Sequence, residues 1–138
     1  MIEAYQLIIE GEECRIRAGQ AVHDSLEDHK RSGKKAAKDV LKIWAILKRL
    51  GDYGHGRLNN TEQFKREGKF ASGGKQGGEV AVYAVKAFQL RVYGGFVKGR
   101  SNTPTFVCVE CAVKKRDRAD QAQLMRVARV LGEINEQL

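Results

Sequence analysis

A chain of 138 residues is the size of one domain and long enough to bury a core without disulfide staples. Its formal charge of +8, from 25 Lys and Arg against 17 Asp and Glu, favours polyanionic partners: nucleic acid first, anionic membrane second, an acidic protein third. No apolar run is long enough for a membrane span, the start Met1-Ile2-Glu3-Ala4-Tyr5 lacks a secretory pattern, and an odd count of three cysteines argues against a disulfide framework. A cytoplasmic protein without a membrane partner is the expectation.

Residues 4–10 read as a first strand, Gly11-Glu12-Glu13 as a turn, and Cys14 to Arg17 as an extension or partner of that strand. Residues 18–31 are helix-like, with Ala21, Val22, Ser25, Leu26 and His29 along one side. Residues 34–50 carry the clearest helical signal, with Ala37, Val40, Leu41, Trp44, Leu47 and Leu50 recurring at threes and fours and Gly51 as the predicted stop. The two form a helical hairpin. Residues 51–79 lose periodicity and read as a basic, glycine-rich mobile loop, with a short helical turn at 61–66. Strand pattern returns over 79–97, residues 98–104 are a turn, and 105–113 form a buried strand. Asp117 or Asp120 caps a last helix to about residue 137, with Leu124, Ala128, Leu131 and Leu138 on one face. The predicted order is β-α-α-β-β-β-α. It implies an α+β fold, with a small, mostly antiparallel sheet packed against an N-terminal helical hairpin and a C-terminal helix.

Two basic segments draw attention. Val85-Lys86-Ala87-Phe88-Gln89-Leu90-Arg91-Val92-Tyr93-Gly94 is strand-like, and Lys114-Lys115-Arg116 follows the last strand. Strand pairing can bring the two together. Lys86 and Arg91 are five apart, so a regular strand sends them to opposite faces and a bend near residues 87–89 is needed to converge them. Both also fit the plain role of solvated strand residues, and the lysine pair that of a charged turn. Glu110 is expected on the face opposite Val107, Val109 and Cys111. Cys108 and Cys111 make a C-x-x-C whose alternation points them to opposite faces, with no second pair to complete a zinc site. Buried free thiols are the expectation.

The element order, the Lys86/Arg91 pair with its Leu-Arg-aromatic core, and the last strand ending in Lys114-Lys115 resemble the RelE/ParE superfamily of bacterial toxins. The phage-derived HigB-type branch is the nearest in pattern. The resemblance runs from about residue 20 and implies a single RelE-like toxin domain over residues 1–138. The chain departs from the pattern in three places. The 68–79 loop is long, Ala84 stands where a glutamate is usual, and Arg116-Asp117-Arg118 replaces a Thr-Pro pair.

Such toxins cleave mRNA, often on the ribosome, without a metal or other cofactor, and are held inactive by a cognate antitoxin. The resemblance implies an endoribonuclease in which Lys86, Arg91, Lys115 and Tyr93 are catalytic. Lys86 would act as base or phosphate clamp, Arg91 would stabilise the phosphorane, Lys115 would supply the acid or a phosphate contact, and Tyr93 would stack on a base or donate a proton. A lysine crowded by other cations has a lowered pKa and can serve as base. Lys65, Arg66, Lys69, Lys114 and Arg116 are the expected RNA-binding residues. Histidines 23 and 29 are expected far from the strand cluster, and His55 near enough to reach it. Two other readings share the scaffold: a ParE-like gyrase inhibitor, and a nonenzymatic phage-encoded binder of nucleic acid or a host factor.

Overall fold

The structure is a computed structural model that describes residues 1–58, 62–74, 77–98, 102–114 and 120–138. Six strands form one mixed sheet: β1 (Tyr5–Glu10), β2 (Arg15–Gly19), β3 (Phe64–Ala71), β4 (Glu79–Ala87), β5 (Leu90–Val97) and β6 (Thr105–Val113). They lie in the order β1-β2-β6-β5-β4-β3. Only β2 and β6 run parallel among the five pairings. The three helices are α1 (Gln20–Lys30), α2 (Lys34–Tyr53) and α3 (Gln121–Gln137). The α+β class stands, but the sheet is larger than the small four-stranded one expected from the sequence.

Strand alternation sorts the core into two layers. On one face Cys14, Ile16, Phe64, Val85, Leu90, Val92, Phe106 and Cys108 meet α1 and α2 through Val22, Leu26, Ile43 and Leu47. On the other, Val82, Ala84, Tyr93, Val107 and Val109 meet α3 through Leu124, Val127, Ala128 and Leu131. The sheet is therefore the middle of three layers.

Four features depart from the sequence reading. The stretch read as a mobile loop contains β3, and no helical turn forms over 62–66. A short 3-10 turn at His55–Arg57 precedes the strand instead. The strand pattern over 79–97 is two strands, β4 and β5, and what reverses the chain is a two-residue loop at Phe88-Gln89 between paired Ala87 and Leu90, not a bend within a strand. Gly51 does not stop α2; it lies buried within it, and Gly54 takes the C-cap at a φ of +78°. The carbonyl of Gly51 accepts the amides of Glu13 and Cys14 at 3.0 Å each, and a Cβ on Gly11 would lie 2.1 Å from that carbonyl. The glycine pair lets the β1–β2 turn dock on α2. Finally, the inward stripe of α2 is rotated from the predicted one: Ile43 and Ile46 are buried and Leu41 is 63% exposed.

A bulge in β6 explains two further corrections. Register shifts between Tyr93/Gly94 on β5, whose partners are Glu110 and Cys108, so Val109 is the extra residue. Beyond it the alternation is inverted. Glu110 thus shares the α3 face with Val107 and Val109, not the opposite face. Cys108 and Cys111 share the α1/α2 face, where all three cysteines are free thiols. At the start of α3, the Asp120 side chain accepts the Ala122 amide at 3.0 Å and caps the helix, as the sequence anticipates.

Candidate nucleic-acid interface at the hairpin end of the sheet

The β4–β5 hairpin settles the geometry of the lysine–arginine pair. Lys86 and Arg91 are directly opposed across the two strands, so they share a face with no bend inside one strand. That face is the one α3 covers, since Ala84 and Tyr93 lie beside them in its core. The Arg91 guanidinium turns back to the loop and donates to the carbonyls of Phe88 and Leu90. The Lys86 ammonium lies 3.5 Å from the Glu67 carboxylate of β3, and both side chains are largely buried. A carboxylate thus stands where a crowd of cations was expected.

The remaining predicted residues divide. Lys65 is exposed and pairs with Ala84, which places it on the same face and near the same end as Lys86. Arg66 is opposite Tyr83 on the α1/α2 face, and Lys69 lies further along β3 opposite Ala81. Both are exposed on an edge strand, where charge also blocks pairing with other chains. The Lys114 amide donates to the Gln89 carbonyl at 2.7 Å, so the basic segment after β6 starts against the hairpin loop. Lys115 and Arg116 lie outside the described residues. Tyr93 is 1% exposed in the core beneath α3. Burial, with a contribution from Glu67 opposed by Arg91, pushes its hydroxyl up to about 12. A ring so enclosed cannot stack on an RNA base, and its proton is held more tightly than in a free phenol. Both roles expected of Tyr93 are corrected on that ground.

Glu110 is occupied: it accepts from Arg126 through both oxygens at 3.2 Å and from Gln123 at 3.2 Å, tying β6 to α3. His55 does not reach the pair; its ring packs 5.0 Å from Phe96 on the α1/α2 side. His29, expected to be remote, instead lines a cavity of about 310 Å³ with Phe88, Gln89 and Leu90. Sequence reasoning missed Glu67, Phe88 and Lys35. The signal for Phe88 was the pairing of apolar runs around residues 88 and 89, but Phe-Gln lacks the Asn, Asp or Gly that marks a two-residue turn.

The molecule is thus a three-layer α+β domain with cations gathered at one end of its sheet. Compared with protein-family models, with curated proteins and with solved structures, the chain has no match.

Proposed function

We propose that this chain is a RelE/HigB-like toxin, a cytoplasmic endoribonuclease that cleaves mRNA without a metal, with the ribosome as a setting for cleavage and a cognate antitoxin as inhibitor. One observation carries the reading. The hairpin opposes Lys86 and Arg91, and the backbone of Lys114 bonds its loop, so basic residues from three strand ends stand at one end of the sheet, where a phosphodiester could meet them. In that setting the RNA 2′-hydroxyl attacks the adjacent phosphorus and its proton passes to Glu67. Arg91 and Lys86 hold the charge that builds on the phosphorane oxygens, the bond from phosphorus to the 5′-oxygen breaks to give a 2′,3′-cyclic phosphate, and the leaving 5′-oxygen takes a proton from solvent water. An acidic antitoxin segment that folds on binding would occlude the same cations.

Purified wild-type protein is expected to cleave RNA or ribosome-bound mRNA and to arrest translation in an extract. Arg91→Ala should reduce the rate at least a hundredfold, the order seen when one preorganised charge donor is lost. If the two proteins behave alike in the extract and neither arrests growth, the reading is wrong.

A second reading, RNA binding without cleavage, is favoured by the Lys86–Glu67 pair and by the burial of Tyr93, which removes an acid from the proposed centre. It predicts a salt-sensitive complex in which the RNA stays intact.

A further inference from the structure

The Phe88 side chain has a conformation and a position that packing does not explain. It is the one described non-glycine residue with positive φ, at +54°, and it is 65% exposed. The φ signs of its loop match a turn whose first central position ordinarily carries glycine, so a bulky aromatic there is disfavoured. Its carbonyl is held by Arg91, and the Lys35 ammonium lies 4.8 Å from its ring centroid. Lys35 is itself fixed by Asp39 at 2.8 Å, whose carboxylate is almost fully buried in α2. The ring and half-exposed Val113 border the cavity of about 310 Å³ that His29, Ser32, Gly33, Lys34 and Lys35 also line.

We infer that Phe88 is a stacking platform for one unpaired nucleobase of a bound single-stranded RNA. The inference rests on the proposed RNA reading and assigns it a base-binding subsite in place of Tyr93. The occupant is argued from charge complementarity. The ring borders Leu90 and Val113 and is set among Lys34, Lys35, Arg91 and Lys114, so the partner that matches both combines a flat apolar face with a polyanionic backbone. Lys35 occupies one side of the ring and leaves its exposed surface for a base. Phe88 lies in the loop that joins the strands of Lys86 and Arg91, and the Arg91 guanidinium bonds its carbonyl, so the phosphate next to a base stacked on the ring would meet Arg91 first.

The test uses the full chain and a fluorescent octaribonucleotide with 2′-O-methyl groups, which lacks the nucleophile for cleavage, with affinity read by anisotropy and stability by urea unfolding. Phe88→Asn suits a positive φ, so its unfolding midpoint should equal or exceed that of wild type. Its affinity for the RNA should fall by about fivefold to a hundredfold, the range for losing one base–aromatic stack, and Phe88→Tyr should restore it. Replacing one nucleotide at a time with an abasic unit should find a position where wild type and Phe88→Asn bind equally. RNA affinity unchanged in Phe88→Asn overturns the subsite and leaves the RNA reading intact. Absence of RNA binding by wild type overturns the RNA reading, and the subsite with it. A self-associated wild type that Phe88→Asn dissociates, with RNA affinity unchanged, assigns the ring to contact between copies and also overturns the subsite.

Discussion

At the residue scale, the lysine–arginine pair shows how identity and geometry separate. Lys86 and Arg91 are legible as candidates from their charge beside β-branched residues. Their convergence is not legible, because the two residues that reverse the chain, Phe88 and Gln89, carry no turn chemistry. Glu67 was hidden for a related reason, since it lies in a charged, glycine-containing stretch that reads as loop. Its carboxylate now makes a prediction. With Glu67→Gln, Lys86 loses the carboxylate that competes with phosphate for its ammonium. RNA affinity is expected to rise severalfold, and the slope of log affinity against log salt to steepen by up to about 0.7, the value for one full phosphate contact on a single strand. Cleavage should fall at the same time if Glu67 takes the 2′-hydroxyl proton. Titrations at three salt concentrations, with a gel for cleavage, read both. An unchanged slope would mean that Lys86 does not contact the backbone.

At the element scale, helices were the most legible part, since α1, α2 and α3 all follow apolar periodicity. The rotation of the α2 stripe toward Ile43 and Ile46 escaped notice because the helix is apolar over more than one face, and only the sheet decides which side is buried. Strand β3 was missed because it is an edge strand with a bulge at Glu67, so neither of its faces alternates cleanly. The β6 bulge was equally silent, yet it sets the faces of Glu110 and Cys111. What allows that bulge is Gly94 opposite it: a Cβ there would lie 2.1 Å from the Val107 carbonyl oxygen. The atom in the way belongs to the backbone of a central strand and cannot swing aside. Gly94→Ala should therefore lower unfolding free energy by about 1–3 kcal/mol, the usual range for overpacking, and more if the strands cannot part. A urea midpoint equal to wild type would show that the bulge does not depend on this close approach.

At the scale of the whole molecule, the sequence could state that helices cover a sheet but not that they take opposite faces. That arrangement encloses ionisable groups in both layers. The thiols of Cys14, Cys108 and Cys111 lie on the α1/α2 side, and the Tyr93 hydroxyl lies under α3. Burial pushes Cys14 up to about 11 and Cys111 up to about 12. It pushes Cys108 further, with the two neighbouring thiols adding to the shift, and Tyr93 to about 12. In each case the folded state keeps its proton to higher pH than the unfolded chain does, where cysteine ionises near about 8.5 and tyrosine near about 10. The stability these groups contribute is complete below the unfolded values and is lost as pH rises through the folded ones. Each group that ionises only on unfolding tilts stability by about 1.4 kcal/mol per pH unit. Unfolding free energy should thus hold level to about pH 8 and then fall, the thiols acting first and Tyr93 joining above about pH 10. Replacing Cys14, Cys108 and Cys111 together with alanine lowers stability at neutral pH through lost packing, so the informative quantity is the slope and not the level. Urea midpoints between pH 7 and 10.5 should decline less steeply for this variant, with the remaining fall confined to the upper end. Parallel slopes for the two proteins would mean that the thiols ionise as readily in the folded chain as in the unfolded one, and that the core between the sheet and α1/α2 does not enclose them.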